Sequence, residues 1–129
     1  MTFAPHFPLS ELRCKCGCEP PDEVLSRLEE LSWNLEYGFR DALKMPIRII
    51  SGHRCAEHNA DVGGAADSRH LYGDGADLSA GTLHGLWLAG FAEAQIYHRA
   101  LRQGGLGTYV SRPGTLHYDM RGDRSRWRY

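Results

Sequence analysis

Two short runs of this chain place acid and imidazole side chains at spacings that suit metal chemistry. The run Ser68-Arg69-His70-Leu71-Tyr72-Gly73-Asp74-Gly75-Ala76-Asp77-Leu78 carries a histidine in a loop and an aspartate in what reads as the next strand. Gly73 and Gly75 let the backbone turn tightly between them. Strand alternation puts Ala76 and Leu78 on one face and Asp77 on the other. An aspartate among small and apolar neighbours needs a partner, and a cation is an obvious one. In Leu116-His117-Tyr118-Asp119-Met120 the same alternation gives His117 and Asp119 a common face, opposite Leu116, Tyr118 and Met120. His70, Asp77 and His117 would supply two imidazoles and one carboxylate and leave a fourth position for water, the arrangement of a catalytic zinc site. Buried His–Asp pairs without metal fit the same pattern, so spacing alone leaves both readings open.

Of the seven histidines, four others read as ordinary residues. His6 lies near the terminus, His58 on a short helix, and His84 and His98 on a long helix with surface or partly buried positions. Four cysteines, Cys14, Cys16, Cys18 and Cys55, include the run Cys14-Lys15-Cys16-Gly17-Cys18. Free thiols or a disulfide both accommodate them. A structural zinc is disfavoured, because such sites prefer C-x2-C to C-x-C spacing.

These groups need elements to hold them. Pro20-Pro21-Asp22 should open a helix with Asp22 as its cap. Leu25, Leu28, Leu31, Leu35, Phe39 and Leu43 recur at helical spacing, and Pro46 should follow the helix end. Ile47-Arg48-Ile49-Ile50 reads as a buried strand. Residues 55–62 read as a short helix stopped at Gly63-Gly64, and Ala76 to Ser79 as a brief strand. Thr82 can cap a second long helix ending at Gly104-Gly105. Strands over 107–111 and 115–120 follow, joined by a turn at Arg112-Pro113-Gly114. The stretch from Arg121 to Tyr129 is locally basic and reads as a solvated strand or tail. The expected fold class is α+β, with a small, mainly antiparallel sheet packed against two main helices in a single domain over 1–129.

Composition narrows the partners. The chain has 129 residues, 42% hydrophobic and 24% charged, and a net charge of -1. That balance is globular and gives no general attraction to nucleic acid or an acidic membrane. No run of eighteen apolar residues spans a bilayer. The N-terminus lacks a basic patch followed by an apolar stretch, so it does not read as a secretory signal. Synthesis in a cytoplasm is expected, and any work outside it would need another route of release.

A wider pattern then becomes visible. Ser51-Gly52-His53-Arg54, Asn59, Gly63-Gly64, Ser68-x-His70, Gly73, Ala76-Asp77-Leu78, Gly105-x-Gly107-x-Tyr109 and His117-x-Asp119-x-Arg121-Gly122 occur in order. Together they resemble the D-alanyl-D-alanine carboxypeptidase family of zinc peptidases, a group that includes phage murein endopeptidases and the hedgehog domain. The resemblance implies one zinc held by His70, Asp77 and His117. It makes Arg54 the arginine that binds a substrate carboxylate or steadies the oxyanion, for which its fork of donors is suited, and it makes Ser68 a substrate contact, although a turn or cap role fits Ser68 equally.

The resemblance further implies hydrolysis of peptide bonds in bacterial peptidoglycan by a monomer acting on stem peptides, as a carboxypeptidase or an endopeptidase. With no signal segment, release by a phage is the expected route to the wall. The sequence departs from several relatives at the general base. No acid lies among residues 111–116, and the nearest is Asp119, which is taken as the catalytic base by a slight preference over a role orienting a ligand. His53 is a further candidate for a polarising or proton-carrying group. The missing acid also leaves room for an inactive module that keeps zinc and binds peptidoglycan.

Overall fold

Val24, Leu28, Leu31, Leu35 and Phe39 return to one side of a helix every three to four residues, and all five are buried. That stripe organises the core of the computed structural model, which describes residues 1–129. The elements in chain order are α1 (Leu9–Leu12), α2 (Asp22–Leu35), a π turn over Glu36–Arg40, α3 (Asp41–Leu43), β1 (Arg48–Ser51) and α4 (Ala56–Asp61). A 3-10 turn over Arg69–Leu71, β2 (Gly75–Ser79), α5 (Gly85–Tyr97), β3 (Gly105–Tyr109), β4 (Arg112–Asp119) and β5 (Ser125–Arg128) complete the chain. The fold is α+β, as expected. No helix is long and apolar enough to cross a membrane.

The five strands form one sheet in the order β1-β2-β4-β3-β5. All pairings are antiparallel except β3 with β5. Period-two alternation splits the sheet into two faces. Ala76, Leu78, Leu106, Leu116 and Tyr118 pack on the helix side with Leu88 and Ala92 of α5 and the α2 stripe. Phe39 lies edge-on to Tyr118, with ring centroids 5.8 Å apart, and 6.3 Å from Phe91. The Tyr118 hydroxyl leaves this core by donating to the Arg102 carbonyl at 2.7 Å.

Several boundaries differ from the sequence expectation for identifiable reasons. Asp22 is the first helical residue and not the cap, because Pro21 takes the extended cap conformation; its charge still favours the positive helix end. Around the π turn the buried Glu36 carboxylate accepts from the His6 backbone N–H at 2.9 Å and pairs with His6 Nδ1 at 2.7 Å. An apolar periodicity does not register that turn. Lys44, at φ 54°, ends α3 ahead of Pro46. Thr82 caps nothing: the His84 ring accepts from the Leu86 N–H at 3.0 Å and starts α5 instead.

Helix α5 stops at Tyr97, with Arg99 at φ 62°, so Gly104-Gly105 lie beyond it. The β3–β4 turn is Val110-Ser111, and Arg112 to Gly114 belong to β4. Pro113 is tolerated there because pairing with β2 stops at Leu116. The C-terminal basic stretch is neither a free tail nor fully solvated; it forms β5 beside β3.

Truncating Phe39 at the centre of this packing should show how much the site's platform depends on the helix side. Phe39→Ala should lower the unfolding free energy by about 3–5 kcal/mol, whereas Tyr97→Ala, at an 83% exposed residue, should change it by less than about 0.5 kcal/mol. Urea denaturation of both variants measures the difference.

Candidate metal centre

The face of the sheet away from the helices carries the chemistry. Ser51 of β1 pairs with Asp77 of β2, Asp77 with His117 of β4, His117 with Gly107 of β3, and Gly107 with Trp127 of β5. Cross-strand partners share a face, so these five positions form one row across the whole sheet. Gly107 leaves its place in the row open, and a Cβ there would enter the Trp127 indole. The ring therefore lies over Gly107 and reaches His117, with centroids 5.0 Å apart. The next row holds Gly75, Asp119, Gly105 and Ser125.

His70 comes from outside the sheet. The Ser68 hydroxyl accepts from the His70 N–H at 3.2 Å and starts the 3-10 turn that presents the imidazole. His70, Asp77 and His117 are all nearly fully buried, and one donor atom from each lies within 4.8 Å of the others. Asp77 Oδ1 is 3.4 Å from His70 Nε2 and 3.1 Å from His117 Nδ1. Donors at zinc–ligand distances of ~2.0–2.1 Å around a tetrahedral ion are separated by ~3.3 Å, and both separations from Asp77 Oδ1 match that spacing.

The far side of each imidazole is also satisfied, as metal-binding histidines require. His70 Nδ1 is 2.7 Å from the Gly52 carbonyl, which fixes the proton on Nδ1 and frees Nε2. His117 has the opposite polarity: Nε2 is 2.7 Å from Asp119 Oδ2, which frees Nδ1. Asp119 is completely buried. Its Oδ1 accepts from the Gly105 N–H at 3.0 Å and from Arg121 Nε at 2.8 Å, and its Oδ2 accepts from Arg121 Nη2 at 2.8 Å. Both oxygens are thus committed on the side of His117 away from Asp77. These contacts suit a group that orients a ligand.

Charge compensation follows the same network. Burial alone would raise the Asp77 carboxyl, but hydrogen bonding to His117 and His70 outweighs it and holds Asp77 well below the usual carboxylate range. Asp119 is likewise held low, against its burial, by Arg121 and His117. Burial would lower the His117 imidazole, yet Asp119 and Asp77 raise it above its ordinary value.

The donor set lies in an open cleft of about 870 Å³. Arg54 lines it, with Nη1 donating to Asn59 Oδ1 at 2.9 Å, Nε to Ser51 Oγ at 3.3 Å, and Nη2 3.9 Å from Asp77 Oδ2. Ser68 lines it too, in addition to its cap role. His53 does not reach the cleft; it is 4% exposed, and its Nδ1 has no hydrogen-bond partner.

Three residues without an assigned role in the sequence reading also face the metal row. Tyr109 Oη is 3.5 Å from Asp77 Oδ1, and burial together with the Asp77 charge pushes its phenol up to about 12. The Arg112 guanidinium sits over the Tyr109 ring at 4.0 Å. Trp127 forms the opposite wall. Alternation from His117 through Gly107 to Tyr109 could have found the tyrosine; Trp127 was hidden by the unpredicted pairing of β5.

Comparison with known proteins agrees with this architecture. The model of the Peptidase M15 family matches residues 5–115, which include His70, Asp77 and Arg54 and stop just short of His117. The zinc D-Ala-D-Ala carboxypeptidase of Streptomyces albus G is 45% identical over 51 residues, 39% of this chain. The matched stretch spans 20% of that relative. On the family match over most of its length, the chain belongs to the Peptidase M15 family.

Proposed function

We propose that this chain is a zinc-dependent hydrolase of peptide bonds in the stem peptides of bacterial peptidoglycan, with His70, Asp77 and His117 as the metal ligands. The observation that carries the reading is the convergence of two oriented imidazoles and one carboxylate at a cleft whose other ionisable walls are largely cationic. Lys15, Arg54 and Arg112 all line that cleft, which suits a substrate bearing carboxylates. The zinc-carboxypeptidase name of the Streptomyces relative points to the same polymer.

Zinc, when bound, supplies Lewis-acid activation of water and of the scissile carbonyl. The protein's own residues do the rest. Arg54 holds a substrate carboxylate or the developing oxyanion through the guanidinium edge that faces the cleft. Tyr109, neutral at working pH, donates its hydroxyl proton as a hydrogen bond to that oxygen. Ser68 contributes a polar contact at the rim while keeping His70 in place. Asp119 is a positioning residue: it sets the His117 tautomer and compensates its charge. Release by a phage would bring the chain to its substrate.

A second reading, a zinc-holding module that binds peptidoglycan without cutting it, draws on one observation, the commitment of both Asp119 oxygens. Digestion of purified peptidoglycan followed by mass spectrometry of the muropeptides separates the two. The enzyme reading expects new termini at one bond type, their loss on chelation, their return with zinc, and background activity for His70→Ala and His117→Ala. Unchanged muropeptides with zinc-loaded protein would favour the binding module.

Tyr109→Phe should lower kcat by about 10²-fold with zinc still bound. Asp119→Asn should weaken zinc binding by about 10–100-fold; a catalytic base at this position would instead leave zinc affinity intact and reduce only kcat. The affinity should also depend on pH in a definite direction. His117 must be unprotonated at Nδ1 to ligate, and its partners raise its pKa in the metal-free protein. Affinity is therefore full above that raised value and falls as pH drops through it, starting above the ordinary histidine value of ~6.5. Competitive chelator titration across pH measures the onset, which should move to lower pH in Asp119→Asn.

A further inference from the structure

The four cysteines, 41 residues apart at the extremes of the set, come together at one point. Their Sγ atoms all lie within 4.8 Å of one another. Cys55 Sγ is 3.8 Å from Cys14 Sγ and 3.7 Å from Cys16 Sγ. A tetrahedral zinc with Zn–S bonds of ~2.3 Å separates its sulfurs by ~3.8 Å. A disulfide brings two sulfurs to ~2.05 Å, and Cys55 shows no preference between its two near neighbours.

Backbone geometry supports the cluster. Gly17, at φ 83°, lets the chain reverse between Cys16 and Cys18, and the Gly17 N–H closes the turn on the Cys14 carbonyl at 3.0 Å. The short C-x-C-x-C spacing, unusual for zinc, is thereby folded into a loop that presents three sulfurs inward. Three backbone N–H groups point at sulfur: Cys55 to Cys14, Cys18 to Cys16, and His58 to Cys55, each at 3.4 Å. Such donors accompany metal-bound thiolates, whose residual charge they share. Without a cation, four thiolates this close would repel one another; a zinc ion would offset half of their charge and leave the remainder to these N–H donors.

We propose that Cys14, Cys16, Cys18 and Cys55 form a second, structural zinc site, a closed tetrathiolate centre separate from the His70–Asp77–His117 row. This reading goes beyond the peptidase reading and stands without it. Its place in the fold gives it a task. Cys55 directly follows Arg54, and the neighbouring Gly52 carbonyl orients His70. On the other side, the His53 N–H bonds the Leu12 carbonyl at 2.8 Å, two residues before Cys14. A metal joining Cys55 to the N-terminal loop would pin the segment that carries Arg54 and supports His70, and it would hold Lys15 at the edge of the cleft.

The test is metal content of the full chain, purified under reducing conditions, supplied with zinc and desalted. Two zinc equivalents are expected per chain. One should remain in the His70→Ala/His117→Ala double variant and one in Cys16→Ser/Cys18→Ser. Cobalt in place of zinc adds a spectroscopic readout: strong thiolate-to-cobalt charge-transfer absorption should persist in the histidine variant. Because the cysteine variant can fail to fold, the histidine variant decides the matter. Loss of all metal from it, absence of the charge-transfer band, or an intact mass short of two hydrogen atoms per bridged cysteine pair in the reduced preparation would overturn the proposal.

Discussion

A carboxylate on an interior strand of a five-stranded sheet must be matched by positive or donating groups, and Asp77 of β2, 3% exposed, sits at such a place. Removing an ion from water costs several kcal/mol per charge unless neighbours replace the lost solvation. His117 on the adjacent strand, His70 from the 3-10 turn and Arg54 after β1 all converge on this one side chain. Their convergence accounts for much of the local architecture. β1 and β4 flank β2 so that Asp77 has a partner strand on each side, and the loop after α4 folds back so that His70 closes the third side.

The dependence extends outward through His117. An imidazole presents Nδ1 or Nε2 to a metal according to the proton held on the other nitrogen. Asp119 settles the choice, and it can do so only because Gly105 opposite has no side chain. A Cβ on Gly105 would enter the Asp119 carboxylate. Arg121 then balances the buried Asp119 charge and stacks beside Trp127, 5.4 Å from its ring centroid. Asp77, His117, Asp119, Arg121 and Trp127 therefore form a continuous series of contacts from the sheet centre to the cleft wall.

Much of this was legible in residue order. Alternation through Ala76-Asp77-Leu78 and Leu116-His117-Tyr118 separated core from site residues on two strands, because a half-buried sheet leaves a period-two record. The helical stripe from Val24 to Phe39 was equally direct. What escaped notice depended on contacts between distant residues. The His84 cap competes with an equally plausible Thr82, and only the observed start of α5 decides between them. β5 pairs through its backbone with β3, so its Arg-rich sequence carries no alternating apolar signal. The double commitment of Asp119 requires Arg121 and Gly105 to arrive together. The approach of Cys55 to the C-x-C-x-C run was likewise hidden, because spacing along the chain does not reveal the turn at Gly17.

The donor atoms of this network would hold a single ion jointly, through one nitrogen from each imidazole and one Asp77 oxygen. Anomalous diffraction at the zinc edge from crystals of the zinc-loaded protein tests it most directly. The expected peak is bonded to His70 Nε2, Asp77 Oδ1 and His117 Nδ1 at ~2.0–2.2 Å, with His117 Nε2 still paired to Asp119. No peak at this position, or one bonded through His117 Nε2 with Asp119 displaced, would contradict it.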